Sequence, residues 1–348
     1  MPVFEIDPMT DPRWRSLVDS HPAASVFHTP EWLEALRRTY DHKPIVFTTS
    51  RDGEPLTGGI VLCHVKSWLT GSKWVSLPFS DHCEPLIRSS ADLGVLLSGI
   101  RDKAPLRLKF LEVRPLSLEL GTGTGWTPRD RYHLHRLDLR PDLKELHARL
   151  HKDGVQRKIR RAEREGVAVE RGRTEGLLKD FYDLMVSTRR RHGVPPQPLA
   201  WFRNLMQHMG PQLTIYAARV NGQPIASVLT LRHRRKVVYK YGCSDERFHN
   251  MGGMPRLFWQ VIQDAKSDQL EELDLGRSDL SNEGLVRFKD HLGATRTALQ
   301  YWQHSKKPVQ SSSLASRALK SSAMRSVLTR LPDPLFRLAG EMLYRHAG

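Results

Sequence analysis

A run of charged and polar residues between two glycines carries the strongest chemical signal in this chain. It spans residues 273–294 and reads LDLGRSDLSNEGLVRFKDHLGA. Its apolar start predicts a short strand that ends at Gly276, and a polar loop of residues 277–279 follows. Asn282 then begins a predicted short helix. Because reactive side chains are often presented on a loop after a strand, this segment is the first candidate for a site.

Lys289 is the residue of this segment that could do chemistry. An ammonium group can stabilise negative charge that develops during a reaction. Asp279 and Glu283 lie in the same segment and could orient Lys289 or accept a proton. The alternatives are structural: a solvated helix lysine, a loop acceptor and a helix cap. Residue types alone do not choose between these interpretations.

Two clusters of cations could hold an anionic substrate. The first falls on a predicted helix and contains Arg157, Lys158, Arg160, Arg161 and Arg164. The second includes Arg190 and Arg191 at a predicted helix end, where the helix dipole alone also favours cations. Such clusters suit a pyrophosphate or a nucleic-acid backbone. A solvated face, partly balanced by Glu163 and Glu165, is the alternative for the first cluster. Arg277 is a further substrate-binding candidate.

The elements that must position these residues occur in two similar rounds. Each round has helices, a hairpin, and then a strand, a helix and a strand. The hairpin turn contains Asp52-Gly53 in the first round and Asn221-Gly222 in the second. We therefore predict an α/β (α+β) fold with mixed, largely antiparallel sheets, duplicated over a first domain of residues 1–130 and a second of residues 131–304.

The tail, residues 305–348, differs in composition from the rest. It begins serine-rich and basic, and it ends in a pattern that places apolar residues from 335 to 343 opposite Arg337 and Arg345. A basic amphipathic end of this kind can dock on an anionic membrane surface. The alternatives are a helix packed on the body of the protein and a disordered tail.

Composition limits the partners and the compartment. The net charge of +16 indicates an anionic partner, such as nucleic acid, a phosphorylated metabolite or an anionic membrane. Three cysteines favour a reducing cytoplasm, and neither a signal peptide nor a transmembrane segment is predicted. The Cys63-His64 pair does not predict a metal site, because adjacent strand residues point to opposite faces.

Several separated motifs, in order, resemble Fem-type (FemAB) proteins over roughly residues 25–303. The first half contributes HTPEWLEAL and VSLPFSDHCEPL. The second half contributes QRKIRRAEREGV, FYDLMVSTRRRHGVPP, GQPIASVLTL, DLGRSD and EGLVRFKDHLGA. Fem-type proteins consist of two GNAT-like acyltransferase domains. Those that act on cell-wall precursors move an amino acid from aminoacyl-tRNA to a stem-peptide amine.

The resemblance implies roles for particular residues. The lysine of the family's Phe-Lys motif, which is assigned to oxyanion stabilisation, falls on Lys289. Arg190 and Arg191 fall in the region that lines the groove for a nucleotide-linked precursor. GNAT enzymes hold the pyrophosphate of coenzyme A on a glycine-rich loop, and the corresponding loop here offers Arg247, Gly252 and Gly253. Its usual pattern is incomplete, since Asn250 stands at the first glycine position.

The resemblance therefore implies an acyltransferase that acts on a cell-envelope precursor, either a peptidoglycan stem peptide or an exopolysaccharide-linked acceptor. No tightly bound cofactor is expected, and the co-substrate is either aminoacyl-tRNA or acyl-CoA. One alternative is an acyl-CoA-dependent N- or O-acetyltransferase, and another is a non-catalytic envelope-assembly scaffold. The expected location is the cytoplasm, with peripheral docking on the inner membrane through the tail. The long coiled-coil arm of some Fem proteins is missing, which weighs against tRNA.

Overall fold

The computed structural model of the protein describes residues 1–67, 71–117, 120, 125–305 and 322–346. Contacts divide the chain into two compact units. The first comprises 1–131, 299–321 and 341–348, and the second comprises 132–298 and 322–340. Residues 299–304 were predicted to belong to the second domain, whereas they contact the first unit.

The first unit combines a largely antiparallel set of strands with helices. Its strands are β1 (Phe4–Ile6), β2 (Lys43–Thr48), β3 (Ile60–Val65), β4 (Ser72–Val75) and β5 (Leu108–Val113), and the end of β12 (Thr295–His304) joins them. Its helices are α1 (Pro12–Ser20), α2 (Pro30–Tyr40) and α3 (Ser90–Lys103). Neighbouring strands follow the order β1-β2-β3-β4-β5-β12, and β4 and β5 run parallel.

Helix α2 shows how local sequence specifies this unit. The Thr29 hydroxyl accepts a hydrogen bond from the backbone N–H of Trp32, and Pro30 occupies the first turn. Both features favour a helix start at this point. Trp32, Leu33 and Leu36 are fully buried, as their helical spacing predicts.

The remaining strands belong to the second unit, apart from residues 127–131 at the start of β6. They are β6 (Thr127–Asp138), β7 (Ala168–Gly172), β8 (Leu213–Val220), β9 (Gln223–His233), β10 (Lys236–Ser244) and β11 (Glu272–Asp279). The neighbour order is β6-β11-β10-β9-β8-β7, and only the β10–β11 pair of these described strands is parallel. The predicted Asn221-Gly222 hairpin turn is confirmed, because Val220 pairs with Gln223 across it.

The remaining helices belong largely to the second unit. They are α4 (Leu143–Arg149), α5 (Arg157–Arg164), α6 (Glu175–Arg191), α7 (Leu199–Met209), α8 (Gly253–Ser267) and α9 (Glu283–His291), followed by α10 (Ser322–Arg330) and α11 (Asp333–His346). A π-helical turn, Lys152–Gln156, leads into α5. Leu257, Phe258 and Ile262 of α8 join Leu273 and Leu275 of β11 in the core.

The two units repeat one order of elements. β3-β4-α3-β5 in the first unit corresponds to β9-β10-α8-β11 in the second, with an antiparallel pair followed by a parallel pair. The helix supplies the long connection that parallel strands need. The predicted mixed α/β fold with largely antiparallel sheets is confirmed.

Helix α11 buries one face and exposes another. Phe336 and Gly340 are buried, whereas Leu335, Leu338 and Met342 are each at least half exposed. The Arg190 guanidinium lies 4.4 Å from the centre of the Phe336 ring. The serine-rich part of the tail up to residue 321 lies outside the described residues. Among the described residues, no helix has the length and apolar character needed to cross a bilayer.

Candidate active site

The site is organised around the point where two parallel strands separate. β10 and β11 pair only from Lys236 with Glu272 to Val238 with Asp274. Beyond that point β10 continues along β9, while β11 continues along β6. Separation of two parallel strands exposes backbone groups that a ligand can reach, and ligands commonly bind where neighbouring strands diverge.

Lys289 reaches β11 just beyond this separation. The residue is only 3% exposed, and Nζ donates to the main-chain carbonyl oxygens of Gly276 and Arg277, each at 3.0 Å. A buried ammonium needs such acceptors, because an unpaired one would be strongly destabilising. The interpretation of Lys289 as a solvated helix lysine is therefore wrong. The predicted helix start is confirmed, since the Asn282 side chain caps α9 at Leu285.

The two carbonyl acceptors lie at a bulge in β11. The pairing of β11 with β6 shifts between Asp274 and Arg277, and Gly276 adopts a positive φ of 69°. Glycine accepts this conformation without a steric penalty. The Asp274 carboxylate accepts from the Gly276 N–H at 2.7 Å. The predicted polar loop at residues 277–279 is wrong, because these residues continue β11 and pair with β6.

The other two candidate catalytic residues are exposed. Asp279 ends β11, and Glu283 is in the first turn of α9. The Asp279 carbonyl accepts from the Asn282 N–H, which closes the turn between the two elements. The two carboxylates therefore flank the short turn between β11 and α9, and their chemical roles stay predictions.

Two histidines that the sequence did not single out also contact α9. His135 of β6 is fully buried, and its Nε2 lies 3.1 Å from Oδ1 of Asp290. His291 of α9 stacks its ring on the ring of His151, with centroids 3.9 Å apart. The backbone N–H of His151 also donates to the backbone carbonyl of His291. Burial lowers the pKa of both His135 and His291 below the ordinary value.

The first cationic cluster lines a cleft of about 1060 Å³. The lining residues are Arg157, Lys158, Arg160, Arg161, Glu163, Arg164, His249 and Asn250. The lining therefore contains five arginine or lysine side chains and one carboxylate. Arg157 pairs with Asp153 and Arg161 with Glu165, whereas the other three cations make no ion pair within the part of the chain that the structure describes. The cleft is therefore suited to an anion.

Two residues of the predicted glycine loop, His249 and Asn250, line the same cleft. Gly252 precedes α8 with a φ of 75°, and an added Cβ would overlap the backbone oxygen of Lys158. A glycine is therefore required for the close approach of this loop to α5. Gly253 is the first residue of α8, whose N-terminal end favours anions.

His249 and Arg247 occupy different positions in that loop. The Ser244 hydroxyl lies 2.9 Å from Nε2 of His249, and burial together with the Arg191 charge lowers the pKa of this histidine. Arg247 does not line the cleft but pairs with Asp245, whose carboxylate it reaches through Nε at 3.0 Å. Arg247 was predicted from the sequence as a residue of the pyrophosphate-binding loop, whereas His249, which lines the cleft, was not predicted.

The remaining arginine candidates lie outside the cleft lining. Arg190 donates to the Thr329 and Leu331 carbonyls and pairs with Asp333 at 2.6 Å, so its guanidinium anchors the C-terminal helices. This differs from the predicted substrate contact. Arg191 is exposed and approaches the Ser244 carbonyl at 3.4 Å. Arg277 is half-buried, with its guanidinium 4.3 Å from the centre of the Tyr132 ring.

Sequence comparison finds a protein family and a relative that each match part of this chain. The family model for an acetyltransferase (GNAT) domain matches residues 149–290. The chain is 26% identical over 144 residues to UDP-N-acetylmuramoylpentapeptide-lysine N(6)-alanyltransferase of Weissella viridescens. This match covers 40% of the chain and 42% of that protein, so it spans less than half of the relative's length.

Structural comparison extends the likeness over most of the chain. FemX superposes with a TM-score of 0.68 at 15% identity, covering 86% of this chain and 97% of that one. L-PGS from Bacillus licheniformis gives 0.55 at 15% identity over 93% and 97%, and a tandem GNAT protein from the clavulanic acid biosynthesis pathway gives 0.51 at 11% over 88% and 100%. The predicted tandem GNAT-like fold is confirmed.

Proposed function

We propose that this FemAB-like chain, with a GNAT domain in its second half, is an acyltransferase that acts on a cell-envelope precursor. It would move an aminoacyl or acyl group to an amine or hydroxyl of that precursor. The observation that carries the proposal is the buried Lys289 ammonium, bound to the Gly276 and Arg277 carbonyls where β10 and β11 separate. The match to an alanyltransferase supports aminoacyl transfer in particular.

Lys289 would act on the charge that develops during transfer. The acceptor amine attacks the carbonyl carbon of the donor ester or thioester, and a tetrahedral oxyanion forms. The ammonium donates to that oxyanion, which then collapses with cleavage of the bond to the leaving oxygen or sulfur. The amine proton passes to a base and then to the leaving group. Asp279 and Glu283, exposed on either side of the turn between β11 and α9, are the two candidates for that base.

The cationic cleft would hold the phosphates of the donor. Lys158, Arg160 and Arg164 supply charge, and His249 and Asn250 of the loop before α8 line the same cleft. Aminoacyl-tRNA and acyl-CoA both carry phosphates on the molecule to which the acyl group is attached. The alanyltransferase relative favours the first donor, and the GNAT domain match favours the second.

Two alternative functions remain within this proposal. An acyl-CoA-dependent N- or O-acetyltransferase would use the same lysine and cleft, with an exopolysaccharide-linked acceptor as one candidate. A non-catalytic envelope scaffold would keep the fold without the chemistry. Lys289 is buried against two carbonyls, and burying an ammonium costs free energy. A scaffold would have no need of a buried lysine, since a solvated one would preserve the fold equally well. The burial of Lys289 therefore favours an enzyme.

The proposed location is the cytoplasmic face of the membrane. Helix α11 exposes Leu335, Leu338 and Met342 at a spacing that places them on one side, and Arg345 is exposed on the same helix. An apolar stripe with nearby cations suits an anionic bilayer. Sedimentation with anionic vesicles tests this point. Equal pelleting of the full chain and of Leu335→Ser/Leu338→Ser/Met342→Ser would exclude α11 as the anchor.

Donor binding tests the function most economically. Calorimetric titration of the full chain with acetyl-CoA, and filter binding with alanyl-tRNA, would be run beside the cleft variant Lys158→Ala/Arg160→Ala. We expect saturable binding of one donor that weakens in the variant. If neither donor binds, or if the variant binds as tightly as the wild type, the cleft is not the donor site.

A further inference from the structure

Three consecutive residues of α9 contact three different elements. Lys289 donates to the carbonyls of β11, Asp290 binds His135 of β6, and His291 stacks on His151 before the π-helical turn. The Lys289 side chain can hold its orientation only if the helix beneath it is fixed. The contact next to it in sequence, between Asp290 and His135, has no role in the mechanism described above.

His135 lies in a fully buried environment beside a partly exposed carboxylate. Its side chain has no exposed surface, whereas the Asp290 side chain is 38% exposed. Nε2 reaches the Asp290 carboxylate, and the buried Nδ1 has no hydrogen-bond partner among the residues that the structure describes. An orphaned polar atom in a buried site is rare and calls for a physical reason.

We propose that His135 and Asp290 form a positioning pair for Lys289, which fixes α9 on β6 and makes the state of Lys289 depend on the protonation of His135. Neutral His135 donates from Nε2 to Asp290 and adds no charge beside the ammonium. Protonated His135 would place a second cation next to Lys289 in a buried site. The catalytic consequence rests on the proposed acyl transfer, whereas the coupling between the two side chains does not.

The charges around His135 agree with this assignment. Burial lowers the pKa of His135, and the Lys289 and His133 charges lower it further, while the Asp290 carboxylate opposes them and raises it. The group is therefore neutral at pH 7 and gains its proton only below its ordinary value near 6.5. Above that pH the positioning pair is intact. As the pH falls through the lowered pKa, repulsion of Lys289 begins.

Three substitutions separate the parts of the pair. In His135→Gln the side-chain amide lies where Nε2 was, so the contact with Asp290 can remain while titration is lost. In His135→Asn the amide is too short for that contact. Asp290→Asn keeps an acceptor but removes the negative charge, so it should lower the pKa of His135. Arg296→Gln is the matched control, because Arg296 lies 3.9 Å from the other Asp290 oxygen.

Nuclear magnetic resonance of the full chain tests the coupling without any activity assay. The probes are the His135 ring and the Lys289 side-chain ammonium, assigned through His135→Gln and Lys289→Arg. In the wild type and in Arg296→Gln we expect the Lys289 signal to shift with the same midpoint as His135. Asp290→Asn should move both midpoints to lower pH, and His135→Gln should abolish the Lys289 shift. If the chemical shift of the Lys289 ammonium does not change as His135 titrates, the proposal is overturned.

Kinetics then tests the consequence for transfer. We expect the acid limb of the kcat profile to disappear in His135→Gln and to move to lower pH in Asp290→Asn, with KM for the donor nearly unchanged. His135→Asn should lower kcat at every pH. An acid limb that is the same in all variants would contradict a positioning role. A wild type without transfer activity would instead defeat the proposed function, while the resonance result would still stand.

Discussion

Gly252 lies so close to the Lys158 backbone oxygen that a Cβ at position 252 would overlap it. This contact joins the loop before α8 to the cationic helix α5, and it brings two separately predicted phosphate-binding elements to one cleft. The cleft therefore depends on a backbone relationship as well as on charged side chains.

Gly252→Ala is expected to distort the cleft. The left-handed conformation costs a non-glycine residue about 1–2 kcal/mol, and the overlap with Lys158 adds to that cost. We predict a lower Tm and weaker donor binding. Gly284→Ala is the control, since nothing lies within 4 Å of its added Cβ in the first turn of α9. The prediction fails if the two variants have the same Tm and the same donor affinity.

Each cleft cation that binds a donor phosphate should contribute measurably to donor affinity. Arg160→Ala and Arg164→Ala should each weaken binding roughly tenfold, as expected for a charge-assisted hydrogen bond. If the donor is a tRNA, the slope of log affinity against log salt should also fall by about 1 for each substituted cation. Arg232→Ala, which removes an exposed arginine paired with Asp268 instead, serves as the control. Equal effects at Arg160 and Arg232 would indicate a nonspecific influence of net charge.

Arg190→Ala is predicted to release the C-terminal helices. The guanidinium holds the Thr329 and Leu331 carbonyls and the Asp333 carboxylate, and it covers the ring of Phe336. We expect faster hydrogen exchange and faster proteolysis across α10 and α11, with little change in donor affinity.

Arg191→Ala is the matched control for that release, because its exposed side chain contacts neither helix in the described structure. If Arg190→Ala instead lowers precursor binding while α10 and α11 remain protected, the original prediction of a substrate contact would be correct.

Local features of the sequence predicted much of this structure. Asn282 marked the start of α9, Asn221-Gly222 marked a hairpin, and the spacing of Trp32 and Leu36 marked a buried helix face. These succeed because caps, tight turns and helical periodicity are determined by residues close in sequence.

Contacts between distant residues could not be predicted in the same way. His135 and Asp290 are separated by 155 positions and meet only because β6 pairs with β11. Arg190 resembled a ligand-binding arginine, since nothing in its neighbourhood shows that Asp333 will lie against it. Residues 277–279 looked like a loop, because polar residues after a glycine are also compatible with a strand that continues past a bulge.

The central claim is that Lys289 stabilises the oxyanion of acyl transfer, and single-turnover transfer from the bound donor tests it most directly. The substitutions are Lys289→Ala and, as a control on the same helix, Arg287→Ala, whose side chain is exposed. We predict a loss of about 10²–10³ in the transfer rate for Lys289→Ala with donor binding retained, and a rate near that of the wild type for Arg287→Ala. Transfer by Lys289→Ala at the wild-type rate would contradict the account.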